Sequence, residues 1–140
     1  MLWLLLTLLL LVPYSILLLL YRYWWSKSAT RSVPVSFIPA TSFTILIPAR
    51  NEEKNIVACL QSIQQLNYPN ELIEVIVIDD FSDDATVTTV KQFSAVQVIE
   101  LKELLKEKIN SYKKKAIEVG VEKSTGKYIV TTDADCTVPA

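Results

Sequence analysis

The chain has 140 residues, 51% of them apolar and 21% charged, with 14 basic side chains against 15 acidic ones and no His, which is one domain's worth of polypeptide. The missing imidazole excludes His-dependent triads, His-ligated zinc and a His general base, so any acid, base or metal ligand is a carboxylate, Lys, Tyr or Cys. A formal charge of -1 lacks the basic excess that electrostatic nucleic-acid binding requires, and no nucleic acid is expected as a partner.

The apolar total is concentrated at the start. From Leu2 to Leu20 only Thr7, Pro13 and Ser15 are not apolar, and no charged side chain precedes Arg22. About 20 apolar residues at 1.5 Å rise cross a hydrocarbon core about 30 Å thick, and residues 1–21 meet that length as a transmembrane anchor. A cleaved signal peptide would need a basic leader and an apolar core of about 7–15 residues, neither of which is present. Tyr21, Tyr23, Trp24 and Trp25 read as an interfacial belt. Arg22, Lys27 and Arg31 beyond it place the following domain in the cytoplasm, which makes this a single-pass cell-membrane protein. Pro13 is expected to kink the helix without preventing insertion. Residues 22–42, with Ser, Thr, Pro34 and Pro39 and little periodicity, read as a juxtamembrane linker. Cys59 and Cys136 then face a reducing compartment as free thiols.

From Phe43 short β-branched runs alternate with stretches at helical spacing, the pattern of βα repeats and a parallel sheet. Strands are predicted at 44–47, 74–78, 96–99 and 127–131, and helices at 53–66, 84–93 and 112–123. Ile56, Leu60 and Ile63 recur on one face of the first helix while Gln61, Gln64 and Gln65 occupy the other.

In such a sheet, ligands bind outside the carboxyl ends of the strands. Three of those ends are acidic: Pro48-Ala49-Arg50-Asn51-Glu52-Glu53, Asp79-Asp80-Phe81-Ser82-Asp83-Asp84 and Thr132-Asp133-Ala134-Asp135. Asp133 and Asp135 are two apart in an extended segment with Ala134 turned away. Hard oxygen ligands without His suit Mg²⁺ or Mn²⁺ completed by water and phosphate oxygens, and a solvated acidic turn is the competing reading. Ser82, Asp83 and Asp84 read as the capping region of the next helix. Asp79 and Asp80, at the strand's very end, read as ligand-facing. The only glycines are Gly120 and Gly126, so neither a Rossmann fingerprint nor a P-loop is present.

Taken in order, Ile45-Leu46-Ile47-Pro48-Ala49-Arg50-Asn51-Glu52-Glu53, then Val75-Ile76-Val77-Ile78-Asp79-Asp80-Phe81-Ser82-Asp83-Asp84, then Gly126-Lys127-Tyr128-Ile129-Val130 leading into Asp133-Ala134-Asp135, resemble the donor-binding half of family 2 glycosyltransferases. The resemblance covers nearly all of residues 43–140. It implies an α/β GT-A fold, a partial parallel sheet with flanking helices, preceded here by the transmembrane helix. The activity implied is metal-dependent inverting transfer of a sugar from a nucleotide-sugar donor to an acceptor hydroxyl on a lipid, polysaccharide or protein. Carried over by position, it implies that Pro48, Ala49, Arg50 and Glu52 cradle the base and ribose and that Asp79 and Asp80 contact the base. Asp133 and Asp135 would hold Mn²⁺ or Mg²⁺, with Asp133 also part of the donor site and Asp135 favoured as the direct ligand. Lys113, in the place of the family's Gly-Lys pair, would lie near the phosphates, against the reading of a solvated basic helix start.

In that family the catalytic base and the acceptor contacts lie well beyond the D-x-D, whereas this sequence ends at Ala140. The expectation is therefore a truncated donor-binding half, with no catalytic base of its own, an exposed sheet edge and an uncovered apolar face. A non-catalytic membrane-tethered nucleotide-binding or assembly module is the alternative. A nucleotidyltransferase is disfavoured by the absence of a Gly-rich loop after the first strand.

Overall fold

The computed structural model describes residues 2–28, 36–104 and 112–139, in two compact units, Met1–Phe37 and Ile38–Ala140. In the first unit, α1 spans Leu2–Lys27 with Pro13 inside it. Its 26 residues make a helix roughly 39 Å long. The segment Leu9–Lys27 is long and apolar enough to cross a membrane. The helix runs six residues past the expected end at position 21, because nothing from Arg22 to Lys27 breaks it. Ser26 Oγ donates to the Tyr23 carbonyl at 2.8 Å, and Ser28 closes the end with its amide on the Trp25 carbonyl at 3.1 Å. The expected linker thus loses its first six residues to α1, and its stretch at 29–35 lies outside the described residues.

The second unit holds a sheet of four parallel strands in the order β3-β2-β1-β4, with β1 Phe43–Ala49, β2 Ile73–Asp79, β3 Val96–Glu100 and β4 Tyr128–Thr131. All four predicted strands are present, with no end shifted by more than two residues. The side chains of β1 and β2 alternate between two cores. Ile45, Ile47, Val75 and Val77 pack with Ile56, Cys59, Leu60 and Ile63 of α2 (Ile56–Gln64) and with Val90 of α3 (Thr86–Val90). Leu46, Ile76 and Ile78 pack with Ala116 and Val119 of α5 (Tyr112–Lys123) on the other face. Each fully buried Leu or Ile of this kind contributes about 1.5–3 kcal/mol.

Helix α2 (Ile56–Gln64) and helix α3 (Thr86–Val90) are shorter than the predicted 53–66 and 84–93. For α3 the reason is composition: Thr-Val-Thr-Thr-Val is β-branched throughout and propagates a helix poorly. For α2, residues 53–55 are spent on a turn in which the Asn55 and Ile56 amides both reach the Glu52 carbonyl, at 3.0 and 2.9 Å. A 3-10 turn at Asn70–Leu72 and one helical turn, α4 at Leu101–Leu104, were not anticipated. Helix α5 (Tyr112–Lys123) has the predicted bounds. Gly120 lets it lie close on the sheet, since a Cβ there would meet Ile78 Cδ1 and Leu46 Cδ1 at 3.0 Å.

At the amino ends of the strands, the Gly126 amide donates to Thr44 Oγ1 at 2.8 Å, Thr44 donates to Glu74, and the Thr125 amide donates to Glu74 Oε2 at 2.8 Å. Burial raises the Glu74 pKa, and these hydrogen bonds outweigh it and hold the carboxyl below its ordinary value. Strand β4 pairs with β1 alone among the described strands, and Tyr128, Ile129 and Val130 are exposed, as expected for an open edge.

Pro48 lies inside the central strand β1, where a missing N–H is normally costly. The Thr132 amide reaches the Leu46 carbonyl at 3.1 Å and the Asp80 amide reaches the Ala49 carbonyl at 2.8 Å. Even-numbered residues therefore bond toward β4 and odd-numbered ones toward β2. Pro48 faces β4, whose pairing ends at Leu46↔Thr131, so no rung is lost.

Candidate functional site

The chain lays down β1, β2 and β3 in one direction and then returns to place β4 on the other side of β1. Strand order reverses there, and a crevice opens at the carboxyl ends of the strands. It is a cavity of about 260 Å³ lined by Pro48, Ala49, Arg50, Glu52, Asp80, Lys113, Asp133, Ala134 and Asp135. A neighbouring hollow of about 210 Å³ shares Pro48, Lys113 and Asp133 with it. Every residue expected at the site lines the cavity except Asp79.

Asp79 is fully buried, and both of its carboxylate oxygens accept from the Ser82 amide, at 3.3 and 3.4 Å. It closes its own turn and is not brought to the cavity. Asp80 is different. Its side chain is 13% exposed, with Oδ2 3.9 Å from Arg50 Nη1, and its other oxygen, Oδ1, is buried with no hydrogen-bond partner among the described residues. Burial pushes the Asp80 carboxyl above its ordinary value, the Arg50 guanidinium opposes this and the Asp79 charge adds to it. An unpaired buried acceptor costs free energy until a donor reaches it.

On the opposite wall, Ala134 is buried in the core that α2 covers, which leaves Asp133 and Asp135 on either side of it facing the cavity. The Asp133 carbonyl is fixed from behind by the Cys136 amide at 3.2 Å and by the Cys59 thiol at 3.8 Å. Both cysteines are free; Cys59 is buried and Cys136 exposed. Burial, then the neighbouring Cys136 and Asp135, push the Cys59 thiol up. Lys113 reaches across from the first turn of α5, with Nζ 2.8 Å from Asp133 Oδ1. That hydrogen bond, and then the Asp133 charge, raise the Lys113 pKa. Among the described residues no group of three or more His, Cys, Asp or Glu side chains forms a metal cage.

The loops after β1 and β2 are sewn together by hydrogen bonds that the sequence reading missed. The Asn51 amide donates to Ser82 Oγ at 3.0 Å and Asn51 Oδ1 accepts from the Asp83 amide at 2.9 Å. The Glu52 amide donates to Thr86 Oγ1 at 2.8 Å, and the Glu53 amide to Asp84 Oδ2 at 3.1 Å. Glu53 Oε2 in return accepts from the Ala85 amide at 3.1 Å. Of the three residues expected in the capping region of α3, only Asp84 reaches the helix, with Oδ1 accepting from the Thr86 amide at 2.9 Å; the N-cap position itself is Ala85 and carries no side-chain cap. Ser82 and the Asp83 amide serve the β1 loop instead. Both turns need a left-handed residue, Asn51 at φ 57° and Phe81 at φ 56°. Asn tolerates this, whereas Phe pays about 1–2 kcal/mol that the loop contacts must offset. The visible signal was the density of Asn, Ser, Thr and acidic residues after two adjacent strands, which is more than helix capping alone requires.

The family model described as Glycosyl transferase family 2 matches residues 44–140. Among curated proteins, the chain is 33% identical over 93 residues to glycosyltransferase AglE of Haloferax volcanii, covering 66% of this chain and 30% of that protein. Among solved structures, it is similar to the mannosyltransferase PcManGT of Pyrobaculum calidifontis in complex with GDP-Man and Mn²⁺. That match has a TM-score of 0.66 and 27% identity, and covers 86% of this chain and 36% of the other. It is also similar to residues 1–349 of TarS of S. aureus, at a TM-score of 0.62 and 25% identity, covering 70% of this chain and 28% of that one. The chain thus spans about a third or less of the length of these relatives. The parallel sheet with flanking helices is the partial GT-A sheet expected from the sequence.

Proposed function

Because the chain belongs to glycosyl transferase family 2, we propose that its cavity binds the nucleotide diphosphate of a nucleotide-sugar donor, in a protein that transfers the sugar with inversion to an acceptor hydroxyl. The observation that carries this reading is the polarity of the cavity. One wall carries the Asp80 carboxylate, whose Oδ1 has no hydrogen-bond partner among the described residues, and the other offers two carboxylates and an ammonium.

At the first wall, Asp80 Oδ1 accepts an N–H from the base, Arg50 holds the carboxylate in place, and Pro48, Ala49 and Glu52 form the bed for base and ribose. Asp79 supports the turn beneath. At the second wall, Asp133 and Asp135 hold a divalent cation. Two carboxylates without a third protein ligand fit Mg²⁺ or Mn²⁺, which keep several positions for water and substrate phosphate. When bound, such an ion supplies electrostatic stabilisation of the leaving diphosphate. Lys113 stands within reach of the same phosphates and adds positive charge where negative charge develops. Removal of the acceptor proton requires a positioned carboxylate on the far side of the anomeric carbon. The carboxylates lining this cavity are those committed to base and metal. The helix α1 is proposed as a single membrane span, with Arg22 and Lys27 holding the enzymatic unit on the cytoplasmic face. That location suits an acceptor delivered at the membrane.

Calorimetric titration of the full chain in detergent micelles with UDP and GDP, with and without Mn²⁺, tests the reading. Metal-dependent binding that disappears in Asp135→Ala is expected. Binding indifferent to that substitution, or none at all by the folded protein, would refute it and favour a tethered module that keeps the fold as scaffold.

A further inference from the structure

Lys113 has a position that helix chemistry disfavours. It is the second residue of α5, where the helix dipole repels a cation. Its ammonium leaves that end to sit 2.8 Å from Asp133 Oδ1, while Lys115 pairs with Glu118 of its own helix at 2.8 Å. Two cationic side chains, Arg50 and Lys113, face four anionic ones around the cavity. The cavity is therefore short of positive charge by about the amount a divalent ion brings. A diphosphate entering beside that ion again needs a cation. Lys113, on a flexible four-carbon stem, borders both this cavity and the adjoining hollow.

We infer that Lys113 is an exchangeable placeholder: its ammonium neutralises Asp133 while the site is empty, gives Asp133 up when a divalent cation binds, and then pairs with the diphosphate. This rests on the donor-site reading above and adds a consequence to it. Asp133 must part from the ammonium before it can ligate, so the cation alone binds more weakly than the two carboxylates would allow. A diphosphate offers Lys113 a replacement partner and so favours the exchange. Lys113 thereby couples cation and nucleotide positively and reciprocally.

The test is Mn²⁺ affinity without nucleotide, read from the electron paramagnetic resonance signal of free Mn²⁺. It uses the full chain in micelles as wild type, Lys113→Met and Lys114→Met. The last removes the same charge from the neighbouring exposed position and reports the general field effect. Lys113→Met is expected to bind Mn²⁺ about two- to fivefold tighter than wild type, the range that an exposed ion pair is worth. Lys114→Met should show a clearly smaller gain. With UDP or GDP present the order should invert, Lys113→Met holding the nucleotide less tightly than wild type. Equal Mn²⁺ gains in the two variants, or unweakened nucleotide binding by Lys113→Met, would overturn the placeholder role and leave the donor site standing. If no form of the folded protein binds Mn²⁺, the metal reading falls and this inference falls with it.

Discussion

Asp80→Asn separates binding from stability in a way the structure specifies. The substitution keeps the shape and an acceptor oxygen but removes the charge from a side chain that is 13% exposed and has one buried oxygen without a partner among the described residues. A hydrogen bond to a charged group is worth about 1.5–3 kcal/mol and a neutral one about 0.5–1.5 kcal/mol. Affinity for a nucleoside diphosphate should therefore fall by about 1–1.5 kcal/mol, or five- to tenfold. Stability should move the other way. Burial lifts the Asp80 pKa above its ordinary 3.8 against the pull of Arg50. The folded form thus binds the proton more tightly than the unfolded chain does, and ionisation costs stability as pH rises through the carboxylate range. At pH 7 the Asn variant should melt above wild type. The gap should close as pH falls below the unfolded value of 3.8, where Asp80 is protonated in both states. Titration calorimetry at pH 7 and thermal melts across the acid range give both quantities. Undiminished nucleotide affinity would remove Asp80 from the base site, and a variant less stable than wild type at pH 7 would show that the Arg50 pairing outweighs burial.

Two further substitutions probe what holds the site in place. Thr86 is fully buried and its Oγ1 takes the Glu52 amide at 2.8 Å, so Thr86→Val keeps the shape while stranding that N–H; a loss of about 1–3 kcal/mol is expected. Thermal unfolding measures it, at roughly 4–8 °C per kcal/mol for a unit of this size, and an unchanged melting temperature would mean the two loops are held by other contacts. Gly126→Ala would place a Cβ 2.4 Å from the Thr44 nitrogen and 2.5 Å from the Phe43 carbonyl carbon. Both are backbone of the central strand, so a loss of about 3 kcal/mol, at the upper end for overpacking, is expected in the urea midpoint; an unshifted midpoint would refute it.

The strands were legible because Ile45-Leu46-Ile47 and Val75-Ile76-Val77-Ile78 are apolar runs rich in β-branched residues and too short for buried helices. The meeting of three acidic loops followed from parallel strands sharing one carboxyl edge. The difference between Asp79 and Asp80 was hidden because it depends on a turn with Phe81 left-handed, which no local propensity favours. The stitching between Asn51 and Ser82, and the Lys113–Asp133 pair, join residues far apart in sequence. Pattern within a window cannot pair them. Helix ends were overestimated where residues 53–55 turn back on the Glu52 carbonyl and where the β-branched run Thr86–Val90 stops propagating.

Pro48 gives the cavity its opening. The next rung of the β1–β4 ladder after Leu46↔Thr131 would need an N–H at position 48 to meet the carbonyl of residue 132, and an imino acid has none to offer. The zipper stops there. The chain leaves the sheet within two residues of that point, and the peptide that would have become more strand carries Asp133 and Asp135 out over the crevice instead. A residue with an ordinary amide at position 48 could extend the ladder by one rung and draw the first of those carboxylates back along the sheet. The acidic wall thus owes its reach to a hydrogen-bond donor that the polypeptide does without.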